Sequence, residues 1–314
     1  MISQTEEALA LWGLEGAITD FVAGRENRVY RVRSNEGDYA LRIKRPGYRS
    51  EKELLSELQW LDALDKAGLF VPRPKRALSG ALLEKVGGHY ADVVGWLDGR
   101  PIGKNHEPLD LENAPAVFRS LGENMARLHD AIDAWKPPNG FVRCHWDAEG
   151  LLGEAPLWGR FWENPTLDDG TRTLLKRFRK MAKSDLQSVT DSLDYGLIHA
   201  DLVRENVLLD GGDMRFLDFD DGGYGYRIFE VATALLKNRS EPDFTQIKES
   251  LIDGYRSVRP LDTKTLDLFI ALRAVTYVGW IVPRFEEEGA QLRNARFIAD
   301  AQELCNEYLE NNHS

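Results

Sequence analysis

The stretch LIHADLVRENVLL, residues 197–209, combines two apolar runs with polar side chains at a fixed spacing. His199, Asp201 and Asn206 lie in this stretch, and Asp218 follows shortly after it in FLDFDD. The segments VLL and MRFLDF flank the turn sequence DGGD, a pattern that predicts a β-hairpin. The two ends of this hairpin therefore carry Asn206 and Asp218.

The spacing of these residues is the H-x-D-x-x-x-x-N pattern of a kinase catalytic loop. In phosphoryl transfer a carboxylate accepts the proton of the acceptor hydroxyl, while amide and carboxylate oxygens hold a divalent metal against the phosphates. We therefore predict Asp201 as the catalytic base and Asn206 and Asp218 as ligands of Mg²⁺. Such residues often serve only local turns, but that interpretation does not explain their joint spacing. His199 follows two apolar residues, so we predict that it supports the loop.

A second group of charges lies upstream, where VYRVRS, NEGD and YALRIK predict another β-hairpin. Arg42 and Lys44 face the same side of its second strand. The next segment begins with a capping box and continues with leucines at helical spacing. Glu57 lies near this apolar stripe, where an unpaired carboxylate is costly, so we expect it to pair with Arg42 or Lys44. The other interpretation is a surface salt bridge of little energetic value.

In a kinase, one cation on such a strand is oriented by a helix glutamate and binds the α- and β-phosphates of ATP. Arg42 is the first choice for this role and Lys44 is the alternative. Gly24 and Asn27, in AGRENRVYRV, add a weaker signal because a tight turn there would bring backbone amides near phosphate. The segment has one glycine rather than three, and an ordinary hairpin turn is the commoner meaning of such a feature.

These elements predict an α+β fold with two lobes. ALSGALLEKVGG and HYADVVGWL form a further strand pair, and DGRP then interrupts the regular pattern. We place the boundary there: residues 1–97 form a small antiparallel-sheet N-lobe with one packed helix, and residues 98–314 form a larger, mainly helical C-lobe. Residues 137–170, rich in proline and tryptophan, are predicted to be an irregular insertion.

The composition disfavours several classes of protein and partner. The net charge of −11 makes nucleic acid an unexpected partner. Cys144 and Cys305 support neither a disulfide framework nor a thiolate metal site. The chain starts without signal-peptide features and contains no run of 18 apolar residues, so we expect a soluble, cytoplasmic protein with no membrane partner. No feature indicates the oligomeric state.

HADLVRENVLL, FLDFDD, the ALR strand, Glu57 and LGENMARLHD together resemble the aminoglycoside phosphotransferase and choline kinase superfamily of small-molecule kinases. The resemblance spans nearly the whole chain and is strongest to the homoserine-kinase-like bacterial branch. It implies a two-lobed protein-kinase-like fold, with ATP bound by the N-lobe and the γ-phosphate transferred to a hydroxyl. Val94 and Trp96, in VVGWL, match the hinge whose backbone holds adenine.

This chain departs from the pattern at two positions. Val203 stands where protein kinases have a lysine two places after the base, so another cation, such as Arg204, would have to stabilise the phosphates. Glu230 stands where the family commonly has an aspartate that supports the catalytic loop.

The sequence says less about the acceptor. Asp220 and Asp221 extend the acidic cluster at Asp218, which would suit a second metal or a cationic acceptor, although both may equally be read as solvated turn residues. An acceptor pocket or ordinary core packing would each explain the side chains of LWGRFW, namely Trp158, Arg160 and Trp162.

The main interpretation is a kinase for a small hydroxylated metabolite, with homoserine or another amino alcohol as a hypothetical acceptor. A protein Ser/Thr kinase is one alternative, and it would need an open cleft for an extended peptide. A catalytically silent ATP-binding module is the other. The presence of a base beside two metal ligands argues against a silent module, because binding alone requires no base.

Overall fold

The computed structural model describes residues 3–24, 27–105 and 107–313. These residues divide into two compact units, each built from several segments of the chain. Unit 1 comprises residues 1–101, 131–143 and 207–220, and unit 2 comprises residues 102–130, 144–206 and 221–314.

This division differs from the single boundary predicted between residues 97 and 98. The first junction lies near that boundary, but two later segments that we predicted in the C-lobe belong to unit 1. One reason is strand pairing, because Leu208 pairs with Pro101 in an antiparallel ladder. A second is the amide of Phe216, which donates to the carbonyl of Phe70 at 3.0 Å. Backbone pairing between distant segments leaves no simple mark in a linear sequence.

The described strands are, in chain order, β1 (Ile18–Ala23), β2 (Asn27–Ser34), β3 (Gly37–Lys44), β4 (Pro74–Lys75), β5 (Glu84–Val86), β6 (His89–Gly95), β7 (Arg100–Pro101), β8 (Cys144–Trp146), β9 (Tyr195–Ile198), β10 (Val207–Asp210), β11 (Asp213–Phe216) and β12 (Gly223–Tyr226). The described α-helices are α1 (Gln4–Leu11), α2 (Glu51–Lys66), α3 (Ala114–Ala134), α4 (Ala148–Leu152), α5 (Asp169–Val189), α6 (Arg227–Leu236), α7 (Phe244–Arg256), α8 (Leu266–Trp280) and α9 (Ala290–Asn312).

Unit 1 is built on an antiparallel sheet with the order β1-β2-β3-β6-β4, in which β5 also pairs with β6. Successive side chains of a strand point to opposite faces, so the sheet can carry an apolar cluster on each side. Leu41 and Ile43 pack with residues of α1, while Val94 packs with Leu58 of α2. The capping box at Ser50 begins α2, as the sequence predicts. The hairpin β10-β11 pairs with β7 in a separate small sheet.

Unit 2 is mainly helical and contains one small sheet with the order β8-β12-β9. The helix α8 is almost wholly buried, and its apolar residues pack against α6 and α9. Within this apolar helix the charged residue Arg273 is also fully buried. Among the residues that the structure describes, no helix is both long and apolar enough to cross a bilayer.

A buried polar group connects three helices of unit 2. Glu230 on α6 and His129 on α3 are fully buried, and their Oε2 and Nε2 atoms share a hydrogen bond of 2.9 Å. The other ring nitrogen of His129 lies 2.8 Å from the hydroxyl of Tyr255 on α7. Burial raises the pKa of Glu230 to about 7, although the amide of His199 and the charge of Arg227 act in the opposite direction. The carboxyl group therefore holds a proton at higher pH than an exposed glutamate does.

We expect the Glu230→Gln variant to reveal a pH-dependent part of the stability. Because the pKa of Glu230 lies above its ordinary value of 4.5, the folded state holds this proton more tightly than the unfolded chain. Its stabilisation is complete below pH 4.5 and is lost as the pH rises to about 7. The free energy of unfolding, wild type minus variant, should fall by roughly 1–3 kcal/mol over this range, at about 1.4 kcal/mol per pKa unit.

Urea unfolding at closely spaced pH values measures this difference. Comparison with the variant isolates Glu230 from His129, whose pKa is lowered by burial and whose contribution has the opposite pH dependence. Glu303→Gln is the control, because Glu303 is 59% exposed and pairs only at the surface with Arg239. A difference between wild type and Glu230→Gln that stays constant with pH would contradict the raised pKa.

Candidate active site

The loop that follows β9 is held by backbone hydrogen bonds to buried side chains. The amide of His199 donates to both carboxylate oxygens of Glu230, at 3.0 Å each, and the amide of Asp201 donates to Nδ1 of His199 at 3.3 Å. Ala200 lies between them with a φ of 64°, a left-handed conformation that costs a residue with a side chain roughly 1–2 kcal/mol. The side chains of His199 and Glu230 therefore both hydrogen-bond to the backbone of this loop.

Two side chains orient the carboxylate of Asp201. Oδ1 accepts a hydrogen bond of 2.8 Å from Nη2 of Arg273, and Oδ2 accepts one of 2.9 Å from Nδ2 of Asn206. The Asp201 side chain remains 22% exposed, so a reacting group can still approach it. Each carboxylate oxygen can accept more than one hydrogen bond, and the carboxylate therefore keeps capacity for a further proton donor.

Arg273 was not predicted from the sequence. Its side chain is fully buried, its guanidinium lies 4.3 Å from the ring centre of Trp158, and Nη2 also donates to the hydroxyl of Tyr277 at 3.0 Å. Aromatic faces attract a guanidinium, so these rings help to offset its desolvation. One signal was available: Arg273 interrupts the apolar helix segment LFIALRAVTYVGW, and a charge in such a run needs a buried partner.

The predicted metal ligands lie in different units, Asn206 in unit 2 and Asp218 in unit 1. Asn206 ends a short 3₁₀ turn, and because its amide nitrogen binds Asp201, its amide oxygen is the atom left for a metal. Asp218 in unit 1 has a φ of 61°, the same uncommon region as Ala200. Such conformations in residues other than glycine cluster at functional sites. Amide and carboxylate oxygens are the ligands that Mg²⁺ prefers.

Among the described residues, no three His, Cys, Asp or Glu side chains gather as a metal-binding group. Asn206 and Asp218 are therefore the two protein ligands on which the prediction of a metal site rests. This is consistent with a phosphate-bound Mg²⁺, which is usually held by one or two protein ligands, water and the phosphates themselves.

Unit 1 contains a buried group of two cations and two carboxylates. Arg42 on β3 donates to Glu57 on α2 at 2.7 Å and to Asp92 on β6 at 2.6 Å. Lys44 lies 3.1 Å from Asp92 and 3.7 Å from Glu57. Burial alone would lower the pKa of Arg42, but Asp92 and Glu57 outweigh it and raise that pKa. Burial alone would raise the pKa of Glu57, but Arg42, Lys44 and Arg143 lower it instead.

This arrangement places both candidate cations beside the predicted glutamate. Nη2 of Arg42 is buried without a hydrogen-bond partner in the described part of the chain, so it is a donor available to a further anion. Sequence reasoning missed Asp92, which pairs with Arg42 in the β3–β6 register. A lone carboxylate inside the apolar strand HYADVVG was the available signal.

The remaining predicted ATP residues lie on or directly beside strands of the large sheet. Gly24 follows β1 and is exposed, whereas Asn27 begins β2 and lies opposite Lys44. Val94 is buried in β6, and the amide of Trp96 donates to the carbonyl of Asp38 at 3.0 Å. That amide is therefore already used within unit 1, and an adenine contact would need other backbone groups of residues 93–97.

The FDD segment is held mainly through its backbone. Nη2 of Arg143 donates to the carbonyl oxygens of Phe219 and Asp220, at 2.8 and 2.7 Å, and Arg49 also donates to that of Asp220 at 3.1 Å. The side chain of Asp220 is buried rather than solvated. In unit 2 the carbonyl of Asp221 accepts the indole N–H of Trp146 at 2.9 Å.

The predicted acceptor residues have different surroundings. Trp158 lies against Arg273, which in turn donates a hydrogen bond to Asp201. Arg160 forms surface contacts with Glu163, and Trp162 is buried with Arg179 over its ring at 3.8 Å. These positions favour structural roles for both residues.

Arg204 is also committed to interior contacts. Its guanidinium donates to Asn238, to the carbonyl of Glu107 and to Glu241, at 2.9, 2.7 and 2.5 Å. Few donors of Arg204 remain for a phosphate, and the cation that hydrogen-bonds to Asp201 is Arg273.

The chain matches known proteins over most of its length. The sequence model of the phosphotransferase enzyme family matches residues 17–262. A homoserine kinase of Acidiphilium cryptum is 29% identical over 297 residues, which cover 87% of this chain and 85% of that protein. Among solved structures, a microcompartment-associated aminopropanol kinase is 27% identical and has a TM-score of 0.85, with coverage of 98% and 97%. An amicoumacin kinase in complex with AMP-PNP and Ca²⁺ has a TM-score of 0.75 at 22% identity, with coverage of 95% and 92%.

These matches confirm the predicted fold class, because the structural neighbours have the protein-kinase-like fold of small-molecule kinases. The family match covers well over half of the chain and includes Arg42, Asp201, Asn206 and Asp218. The chain therefore belongs to the phosphotransferase enzyme family and is a kinase-like phosphotransferase.

Proposed function

We propose that this protein uses ATP and Mg²⁺ to phosphorylate a hydroxyl group of a small metabolite, an amino alcohol or a homoserine-like compound. The observation that carries the proposal is the arrangement at Asp201, whose two carboxylate oxygens are held by Arg273 and Asn206 while the side chain stays accessible. The names of two similar proteins, a homoserine kinase and an aminopropanol kinase, support this class of acceptor.

In the proposed reaction Asp201 accepts the proton of the acceptor hydroxyl. The hydroxyl oxygen forms a bond to the γ-phosphorus, the bond from that phosphorus to the bridging oxygen of the β-phosphate breaks, and ADP leaves. Arg273 and Asn206 keep the carboxylate in one orientation, so little reorganisation is needed when the proton moves.

On the ATP side, Arg42 would bind the α- and β-phosphates through its buried, unpartnered Nη2, with Glu57 and Asp92 fixing its direction. Asn206 and Asp218 would hold Mg²⁺, which when bound neutralises charge on the phosphates. A structural neighbour solved with AMP-PNP and Ca²⁺ supports binding of a nucleotide with a divalent metal.

A coupled ADP-release assay tests the proposal. Wild-type protein with Mg²⁺ is incubated with amino alcohols, hydroxy amino acids, aminoglycosides and a generic protein acceptor. We expect a small hydroxylated metabolite to raise ADP release, and Asp201→Asn to reduce that rate by about 10²–10⁴-fold, the usual contribution of a general base. Asn keeps the size of Asp201 but cannot accept the proton.

Asp210→Asn is the matched control, because Asp210 is a partly exposed carboxylate whose partner is Arg215 on the hairpin. Its rate should stay close to that of the wild type. If only the protein acceptor were phosphorylated, the chain would be a protein kinase. If ATP bound but no acceptor raised ADP release above the level of Asp201→Asn, the catalytically silent module would replace this proposal.

Conservative exchanges separate the two candidate cations for ATP. Arg42→Lys keeps the charge but loses the planar fork that bridges Glu57 and Asp92, so we expect the KM for ATP to rise about tenfold. Lys44→Arg should change this KM less, because Lys44 is only 3% exposed whereas Arg42 is 11% exposed. Steady-state kinetics with varied ATP give both values.

Arg33→Lys controls for a change of cation on the same sheet, since Arg33 is 46% exposed and pairs with Asp20 at the surface. Thermal unfolding of each variant shows whether the buried group remains intact. A larger rise in the KM for ATP in Lys44→Arg than in Arg42→Lys would identify Lys44 as the main phosphate cation.

A further inference from the structure

Lys237 directly follows α6 and is a partly buried cation of unit 2 that the reaction proposed above does not use. Its ammonium group lies 3.9 Å from the ring centre of Tyr277 on α8 and 4.7 Å from that of Phe297 on α9. Within the described chain the contacts of Nζ are with these two rings, and no ion pair or hydrogen bond to it is found. The aromatic faces offset part of its desolvation, but they supply no anionic partner.

Charged groups of both signs surround Lys237 in the described chain, but none is paired directly with it. Burial, together with the nearby positive charge of Arg273, lowers the pKa of Lys237 to about 8. Asp300, Asp201 and Glu205 act in the opposite direction but do not restore the ordinary pKa. The ammonium group therefore remains mostly protonated at neutral pH in a site where a bound anion would be favourable.

A chain of contacts connects Lys237 to the base. Lys237 lies over the ring of Tyr277, the Tyr277 hydroxyl accepts a hydrogen bond from Arg273, and the same nitrogen of Arg273 donates to Asp201. Trp158, in the LWGRFW segment, covers the guanidinium of Arg273. Tyr277 and Arg273 thus link Lys237 to the place in unit 2 where the hydroxyl of an acceptor would meet Asp201.

The close approach of Trp158 depends on Gly279. A Cβ atom at this position of α8 would lie 2.5 Å from the carbonyl oxygen of Trp158 and 2.6 Å from that of Gly159. The absence of a side chain there lets the LWGRFW segment pack directly on α8. The close packing of α8 against the LWGRFW segment therefore holds Trp158 beside Arg273 and Tyr277 in unit 2.

We propose that Lys237 is a specificity-determining residue that binds a carboxylate on the acceptor. The inference rests on the proposed function, and it narrows the acceptor to a hydroxy acid or hydroxy amino acid rather than a simple amino alcohol. A carboxylate would supply the anionic partner that Lys237 lacks, and a charge-assisted hydrogen bond is among the stronger polar contacts in proteins. Homoserine is one compound with this combination of groups, and a kinase named for it is 29% identical to this chain.

Matched pairs of acceptors test the role of Lys237. Homoserine and 3-aminopropan-1-ol differ by one carboxylate, as do serine and ethanolamine. Wild type, Lys237→Met, Lys237→Arg and the control Lys176→Met, which changes an exposed lysine of α5, are compared for kcat and KM with each compound. Binding of each compound to the four proteins in the presence of Mg²⁺ and AMP-PNP is measured by calorimetry.

We expect wild type to prefer the carboxylate member of a pair. Lys237→Met should reduce kcat/KM for that member about 10- to 100-fold, mainly through KM, and this loss should exceed the loss for its partner by about tenfold. Lys237→Arg should recover part of the loss, and Lys176→Met should behave as wild type. The KM for ATP should not follow the same pattern, since the proposed contact is with the acceptor.

Other outcomes would overturn the proposal. An equal loss for both members of a pair, or a rise in the KM for ATP alone, would assign Lys237 to packing or to the phosphates. Preference for the amino alcohols by wild type would leave the proposed function intact and exclude the carboxylate contact. If no compound were phosphorylated, carboxylate-dependent binding that Lys237→Met abolishes would still support the site, whereas equal binding or none would reject it.

Discussion

The ion pair between the fully buried Arg273 and the partly exposed Asp201 is the contact on which the surroundings of Asp201 in unit 2 depend. A guanidinium in the middle of an apolar helix is tolerated because Asp201 accepts its hydrogen bond and aromatic rings cover its faces. The same contact sets the direction of the carboxylate, together with the amide of Asn206. Removing Asp201 would leave the buried guanidinium of Arg273 without its anionic partner, so the packing of α8 and the orientation of the Asp201 carboxylate depend on the same contact.

In unit 1 the buried charges are also paired, but the arrangement of the residues is different. Arg42 and Lys44 face Glu57 and Asp92, and the four charges balance in a buried group between β3, β6 and α2. The carboxylates fix the cations in place, while the unpartnered Nη2 of Arg42 keeps capacity for one more anion. A site that is already ordered before ATP arrives loses less conformational entropy on binding.

The phosphotransferase family uses this fold with different acceptors, as the names homoserine kinase, aminopropanol kinase and amicoumacin kinase show. Chemistry common to all of them requires a base, metal ligands and a phosphate cation. Choice of acceptor requires further side chains, since a fold does not determine its substrate. In this chain Lys237, Tyr277 and Trp158, gathered around Arg273, are the residues suited to that choice.

The sequence alone determined the α+β class, the capped helix after β3, the two hairpins and the positions of Asp201, Asn206, Asp218, Arg42 and Glu57. These features follow from local spacing, because hydrophobic periodicity, capping and short motifs act over a few residues. Only the tertiary structure identified Asp92 as a partner of Arg42 and Arg273 as a partner of Asp201, and only it assigned two later segments to unit 1. The physical reason is that each of these contacts joins residues that are far apart in the sequence. A lone charge in an apolar run shows that a buried partner is needed. The packing of distant strands and helices decides which residue that partner is.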